Sequence, residues 1–320
     1  MFGGDCSQSR FRLPRPDGVD IVRNAQLKLS GLRGTGRRGA PICSIAVLGA
    51  GGQLGTAFGQ ILNPDARRLA RDDLDLTNLG RISDVLDAVD PAAVINCAAY
   101  TNVDRAESEE SVATLINGEA VGVIAEWCAR RSRPFLTFST DYVFDGSSSE
   151  PYLESSATNP RNAYCRSKLV GERLALAHGA LVVRASWILS GTHPNFVSTL
   201  IQRAATQDLR VVDDQVGSPT VASDLAEASL TALTSGATGL LHLTNSGVTS
   251  RYELARSAVE MAGLFSERIQ PCSTEDYPTP AVRPAYSVLR SERLSALGLD
   301  VMPDWRESLR SAVSQIITWV

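Results

Sequence analysis

The chain has 320 residues, enough for one large domain or two smaller ones, each with its own core. A net charge of -4 argues against nucleic acid as the main partner, and no stretch approaches the ~20 apolar residues of a membrane helix, so no membrane partner is expected. The six cysteines (Cys6, Cys43, Cys97, Cys128, Cys165 and Cys272) form no Cys-x-x-Cys pair, and the three histidines (His178, His193, His242) are not clustered with acids, which points to reduced thiols in a cytoplasm and argues against a metal site or a Ser-His-Asp hydrolase.

In chain order, residues 1–43 come first, rich in Arg, Gly and Ser and basic over the first 40. They read as a disordered extension without a signal-peptide core; the alternative is a basic arm that touches an anion. Residues 44–48 form an apolar run of strand length ending in Gly49-Ala50-Gly51-Gly52-Gln53-Leu54-Gly55, and a helical pattern follows to about Leu62. A weak second strand lies around 67–70, and Thr77 or Asn78 is placed to cap a helix. Buried strands are expected at 93–97, 134–138 and 181–184, with helical spacing over 107–131 and a helix beginning near Asn159-Pro160. From about Gly191 the rhythm loosens into strands at 209–212 and 240–243 and helices near 221–233, 250–262 and 305–317. Apolar runs alternating with helices predict an α/β fold, a doubly wound parallel sheet over 44–190. A smaller mixed α/β lobe is expected over 191–320, with room for later elements to return to the sheet. A crevice between the two would hold substrate.

Gly49, Gly52 and Gly55 stand three apart between a strand and a helix. The first permits the tight turn, the second lets backbone N–H groups approach a pyrophosphate, and the third lets helix and strand pack closely, while the helix N-terminus favours negative charge. This is a Rossmann-type dinucleotide site, and the Gly-x-x-Gly-x-x-Gly spacing favours the short-chain dehydrogenase branch; the alternative is a plain strand-to-helix turn. At the weak second strand Arg67, Arg68 and Arg71 stand where an arginine accommodates a 2′-phosphate, favouring NADPH and leaving NADH open.

Tyr164 and Lys168 lie one helical turn apart on one face. Lys28 and Lys168 are the only lysines of the chain, so a lysine here amid plentiful arginine suggests a need for a compact ammonium. A phenol titrating near ~10 is a poor acid at neutral pH. A cation ~4–5 Å away, at an effective dielectric of ~20, supplies roughly 3–4 kcal/mol toward acidifying it. The pair therefore points to carbonyl reduction with Tyr164 as general acid. At the end of the 134–138 strand Thr140 is the hydroxyl expected to hold the substrate oxygen, with Ser139 as its rival.

These residues resemble the dTDP-4-dehydrorhamnose reductase family, sugar-nucleotide 4-ketoreductases of the extended short-chain dehydrogenases. The motifs are the glycine loop, Asn96 to Asp104, Ser139 to Gly146, Tyr164 with Lys168-Leu169-Val170-Gly171-Glu172, Arg184-Ala185-Ser186-Trp187, Asn195-Phe196-Val197, Asp214 to Thr220, His242 to Gly247 and Arg283 to Ser287. The resemblance implies Thr140, Tyr164 and Lys168 as the catalytic triad. It implies Gly52, Gln53 and Leu54 at the pyrophosphate, Asp75 and Leu76 at the adenosine, and Ala98, Ala99, Tyr100 and Thr101 lining the cofactor. It also implies Asp141, Tyr142 and Trp187 on the sugar nucleotide. The implied activity is NADPH-dependent reduction of the C4 keto group of a nucleotide-diphosphate-linked 4-keto-6-deoxysugar, by a monomer or homodimer. The family's divalent-metal dimer contact has no counterpart that can be placed here, so no metal ligand is assigned. Residues 189–194 depart from the glycine-rich turn usual after the Trp, which widens the substrate to deoxyhexoses of secondary metabolism. One rival is a sugar-nucleotide dehydratase or epimerase, opposed by Asp141-Tyr142 where dehydratases carry Asp-Glu. Another is a non-catalytic subunit like the regulatory subunit of methionine adenosyltransferase.

Overall fold

The computed structural model describes residues 45–62 and 66–320, so the expectation for residues 1–43 lies outside the described residues. Six strands carry the architecture: β1 (Ile45–Leu48), β2 (Ala66–Leu69), β3 (Ala93–Asn96), β4 (Phe135–Thr140), β5 (Leu181–Ala185) and β6 (Gly239–His242). All pair in parallel, in the spatial order β6-β5-β4-β3-β1-β2. Every residue of β1, β3, β4 and β5 is buried. A parallel sheet covered on both faces demands such continuous apolar runs.

Side chains alternate between the faces. Ile45, Val47, Ile95 and Val183 pack with Leu54 and Phe58 of α1 (Gln53–Leu62). Ala46, Leu48, Val94 and Val182 face α2 (Leu79–Val89) and α3 (Glu110–Arg130), through Ile82, Leu86, Ile124 and Trp127. By length and composition α3, at 21 residues, is apolar enough to cross a membrane. Here its face of Ile124, Trp127 and Cys128 lies in the sheet core, while Glu126 pairs with Arg130 on the outside. A π turn, Leu115–Glu119, interrupts α3.

The helix carrying Tyr164 and Lys168, α4 (Ala163–Ala177), starts three residues beyond Asn159-Pro160. Asn162 is its N-cap, accepting from the Cys165 N–H at 2.9 Å. Asn78 precedes α2 without a side-chain cap bond, and Thr77 binds Asp75 instead.

Among elements expected in the C-terminal lobe, two belong to the sheet layers. β6 extends the sheet beyond β5, with Leu241 in the core. Leu225 and Leu230 of α6 (Ala222–Thr234), which follows α5 (Phe196–Ala204) in the chain, pack with α1 on one face. The smaller lobe is built from α5, α7 (Arg251–Met261) and α8 (Trp305–Ile316) around Val197, Leu254, Trp305 and Leu309. Short ladders trim it, including Leu209–Val212 parallel to Ile269–Cys272 and Val216–Gly217 antiparallel to Thr249–Ser250. In the main sheet β2 and β3 leave β1 on opposite sides. That reversal opens a crevice at the carboxyl ends of the strands, where open α/β sheets bind ligands.

Candidate active site

The crevice is a cavity of about 1530 Å³ walled by the loops after β1, β2, β3, β4 and β5 on one side and by α5 and α7 of the smaller lobe on the other. The glycine loop forms one end. Gly49 has φ +70°, and a Cβ on it would sit 2.5 Å from the Ala98 nitrogen. A Cβ on Gly55 would sit 2.2 Å from the Gly49 carbonyl oxygen, so this glycine serves helix–strand packing and does not line the cavity. Gly51 and Gly52 differ: a Cβ would meet nothing within 4 Å at Gly51 and only the Gly49 oxygen at 3.5 Å for Gly52. Both line the cavity with Gln53 and Leu54 at the start of α1, whose first N–H groups have no partner within the helix. The Gln53 Oε1 is buried without a hydrogen-bond partner. Open backbone at a helix N-terminus is an anion cradle, and a dinucleotide pyrophosphate fits it.

At the end of the cavity beside β2 the three arginines separate. Arg67 and Arg68 are exposed on the edge strand β2, and the Arg68 side chain lies over Gly59 of α1. Of the three, Arg71 alone lines the cavity, beside Asp72, Asp75 and Leu76. Asp72 was not foreseen in the sequence. The Asp75 carboxylate accepts from the Thr77 N–H and hydroxyl, both at 2.9 Å, and these bonds hold its pKa below the ordinary value.

After β3, Ala98, Ala99 and Thr101 line the cavity, but Tyr100 does not. Its hydroxyl donates to Glu109 at 2.7 Å, and its backbone N–H and C=O both bond the side chain of Asn117. Asn117 lies in the π turn of α3, is fully buried and also donates to Ser167 of α4 at 2.9 Å. It thereby locks the β3 loop to the helix of Tyr164 and Lys168. π turns recur at functional sites, but no spacing in the sequence marks this one.

Thr140, Asp141, Tyr142, Tyr164, Lys168 and Trp187 all line the cavity. The Thr140 hydroxyl donates to Asp141 Oδ1 at 3.0 Å and accepts from the Tyr142 N–H at 3.2 Å. Asp141 Oδ2 has no partner, and burial pushes this carboxyl up to about 6, opposed by the hydroxyls of Ser287 and Thr140 and by Arg251. Thr140, not Ser139, acts on the Tyr164 phenol, where its hydroxyl opposes the rise in pKa. That rise departs from the expectation that Lys168 acidifies Tyr164. Burial pushes the phenol above its ordinary range, the neighbouring Cys165 and Asp141 add to it, and Lys168 is not among the main influences. The Lys168 ammonium is itself buried, and burial brings it down to about 8 against the pull of Glu172 and Cys97.

Glu172, one turn beyond Lys168, forms a buried pair with Arg184 of β5. The two bonds measure 2.9 Å from Nε and 2.5 Å from Nη2, and each side chain is 3% exposed. Arg184 also reaches His242 of β6 at 3.3 Å.

Trp187 follows β5 with φ +47°, a region non-glycine residues rarely occupy and one that clusters at functional sites. Its indole packs against Gly217, where a Cβ would come within 2.7 Å of the ring. Arg251, at the start of α7, stacks its guanidinium 3.7 Å from the Trp187 ring centroid and donates to the Tyr142 hydroxyl at 3.2 Å. His193, in the atypical 189–194 segment, places Nε2 3.1 Å from the Gly51 carbonyl oxygen and 3.4 Å from the Thr56 hydroxyl. Arg283 is tied to Asp104 at 2.8 Å on the cavity wall.

This arrangement has known counterparts. The family described as RmlD substrate binding domain matches residues 43–317. A dTDP-4-dehydrorhamnose reductase of Mycobacterium tuberculosis is 41% identical over 289 residues, covering 84% of this chain and 92% of that protein. A dTDP-4-keto-6-deoxy-D-glucose reductase of Streptomyces niveus is 35% identical, covering 83% of this chain and 95% of that protein. Among solved structures, the dTDP-4-dehydrorhamnose reductase of Bacillus anthracis in complex with NADP superposes with a TM-score of 0.81 at 32% identity, covering 85% of this chain and 99% of that one. The chain belongs to the dTDP-4-dehydrorhamnose reductase family.

Proposed function

We propose that the protein uses NADPH to reduce the C4 keto group of a nucleotide-diphosphate-linked 4-keto-6-deoxyhexose, in the cytoplasm, for rhamnose or a related deoxysugar. One observation carries this reading: Thr140, Tyr164 and Lys168 meet in the cavity that the open backbone of Gly51 and Gly52 also walls. Arg71 stands where it can take a 2′-phosphate; Asp72 beside it suits a free ribose hydroxyl, so NADH remains the competing cofactor. We place the cofactor on residues 45–190 with β6 and α6, and the nucleotide sugar against the smaller lobe.

NADPH, when bound, supplies hydride. The chain supplies the proton and the geometry. Tyr164, held neutral by burial, keeps its proton until the carbonyl oxygen gains charge, then donates it there. The Lys168 ammonium, one turn along α4 and on the same cavity, supplies the positive charge that offsets the resulting phenolate. The Thr140 hydroxyl has one proton, now directed at Asp141, and turns it to the substrate oxygen. Asp141 is then free to accept a sugar hydroxyl, and Trp187 walls the ring. Tyr164→Phe is expected to lower kcat by about 10²–10⁴-fold while NADPH affinity is kept. The assay is a panel of nucleotide-linked 4-keto-6-deoxysugars with NADPH and NADH, followed by product NMR; undiminished turnover by Tyr164→Phe refutes the assignment.

A further inference from the structure

Arg251 is placed against its local interests. It occupies the first turn of α7, directly after the N-cap Ser250, where the helix dipole disfavours a cation. Of the arginines on the cavity wall, Arg283 is neutralised by Asp104 at 2.8 Å and Arg210 by Asp276 at 3.2 Å, whereas Arg71, Arg203 and Arg251 have no such pair among the described residues. For Arg251, no carboxylate among the described residues lies within ion-pair distance. Its guanidinium instead lies between aromatic groups, 3.7 Å from the Trp187 ring centroid and 5.2 Å from that of Phe196. It spends one N–H on the Tyr142 hydroxyl at 3.2 Å. A guanidinium has five N–H donors. A flat, half-buried fork with unspent donors, held by stacking, is suited to bidentate binding of phosphate oxygens.

Its location selects which phosphate. Arg251 and Phe196 line the cavity from helices α7 and α5 of the smaller lobe, Trp187 lies against the Arg251 guanidinium, and Tyr142 stands two residues beyond Thr140. A hexose with C4 at Tyr164 points C1, and the diphosphate attached there, away from the reacting atoms. We propose that Arg251, stacked on Trp187 and steadied by Tyr142, is the binding residue for the diphosphate of the nucleotide sugar. This rests on the functional reading above, and names the part of the substrate that the smaller lobe recognises: a nucleoside diphosphate.

The test is calorimetric binding of dTDP, thymidine and NADPH to the full chain and to Arg251→Met and Arg251→Lys. Arg251→Met is expected to weaken dTDP by at least about tenfold, the loss of a charged hydrogen-bond donor, and to leave thymidine and NADPH unchanged. Unchanged NADPH binding also shows that the variant is folded. Arg251→Lys is expected to recover only part of the affinity, since an ammonium lacks the planar fork. The proposal is overturned if Arg251→Met binds dTDP as the wild type does, if it loses dTDP and thymidine equally, or if the wild type does not bind dTDP. Turnover separates the two readings. Arg251-dependent dTDP binding without reduction of any 4-ketosugar would sink the reductase and keep this site. Reduction with an unchanged KM in Arg251→Met would sink this site alone.

Discussion

Replacing Lys168 by methionine should stabilise the protein while disabling it. Lys168 is 7% exposed, and burial lowers its pKa from 10.5 to about 8. At ~1.4 kcal/mol per pH unit, holding that charge in the folded chain at neutral pH costs about 3 kcal/mol, already net of the pull from Glu172 and Cys97. Methionine has similar length, no charge and enough flexibility to fill the site. The sign follows from linkage. The folded group titrates below the unfolded one, so the cost is fully present below pH 8 and disappears as the pH rises to 10.5. Lys168→Met is therefore expected to exceed the wild type by up to about 3 kcal/mol at pH 7. The difference should shrink steadily between pH 8 and 10.5, and the kcat deficit, about 10²–10⁴-fold at pH 7, should narrow over the same range as the wild-type ammonium loses its proton. Urea unfolding of both ligand-free proteins across that pH series measures it. A variant no more stable than wild type at pH 7, or a difference that does not vary with pH, would refute the reasoning.

Glu172→Met leaves the Arg184 guanidinium buried without its counter-charge and should cost about 3–5 kcal/mol; thermal unfolding reads it, and adding Arg184→Leu should recover much of the loss. Gly55→Ala forces a Cβ to within 2.2 Å of a backbone oxygen that cannot yield, so about 1–3 kcal/mol of stability and much of the NADPH affinity should be lost; Gly51→Ala, meeting nothing within 4 Å, should leave stability unchanged. Asp141→Asn should remove an acid limb near pH 6 from the kcat/KM profile, because the buried carboxyl titrates at about 6. Since that value lies above its unfolded one, the carboxylate costs stability above pH 6; the variant's advantage in melting should be full at pH 7 and fade as the pH falls through 6.

The parts of the site legible in the sequence are those encoded locally. A strand, three spaced glycines and a helix are contiguous, and Tyr164 and Lys168 share a helix face by spacing alone. What escaped depends on distant segments meeting. Asn117 matters because a π turn brings it against Tyr100 and Ser167, and Gly171 admits its carbonyl, where a Cβ would stand 2.0 Å away. Arg251 is one arginine among many until Trp187 and Tyr142 arrive from sequence positions at least 64 residues away. The 240–243 run was visible as a strand, yet only long-range pairing with β5 places it in the main sheet. The Tyr164 pKa shows the same limit: helix spacing identified a neighbouring cation, but burial, a tertiary property, decides the direction.

The His193 contact with Gly51 and Thr56 has a thermodynamic consequence. It joins the loop leading into α5 to the glycine loop, the first assigned above to the sugar-nucleotide side and the second to the pyrophosphate. Coupling free energies are reciprocal, so whatever factor the cofactor imposes on sugar-nucleotide affinity through this bridge, the sugar nucleotide imposes on the cofactor.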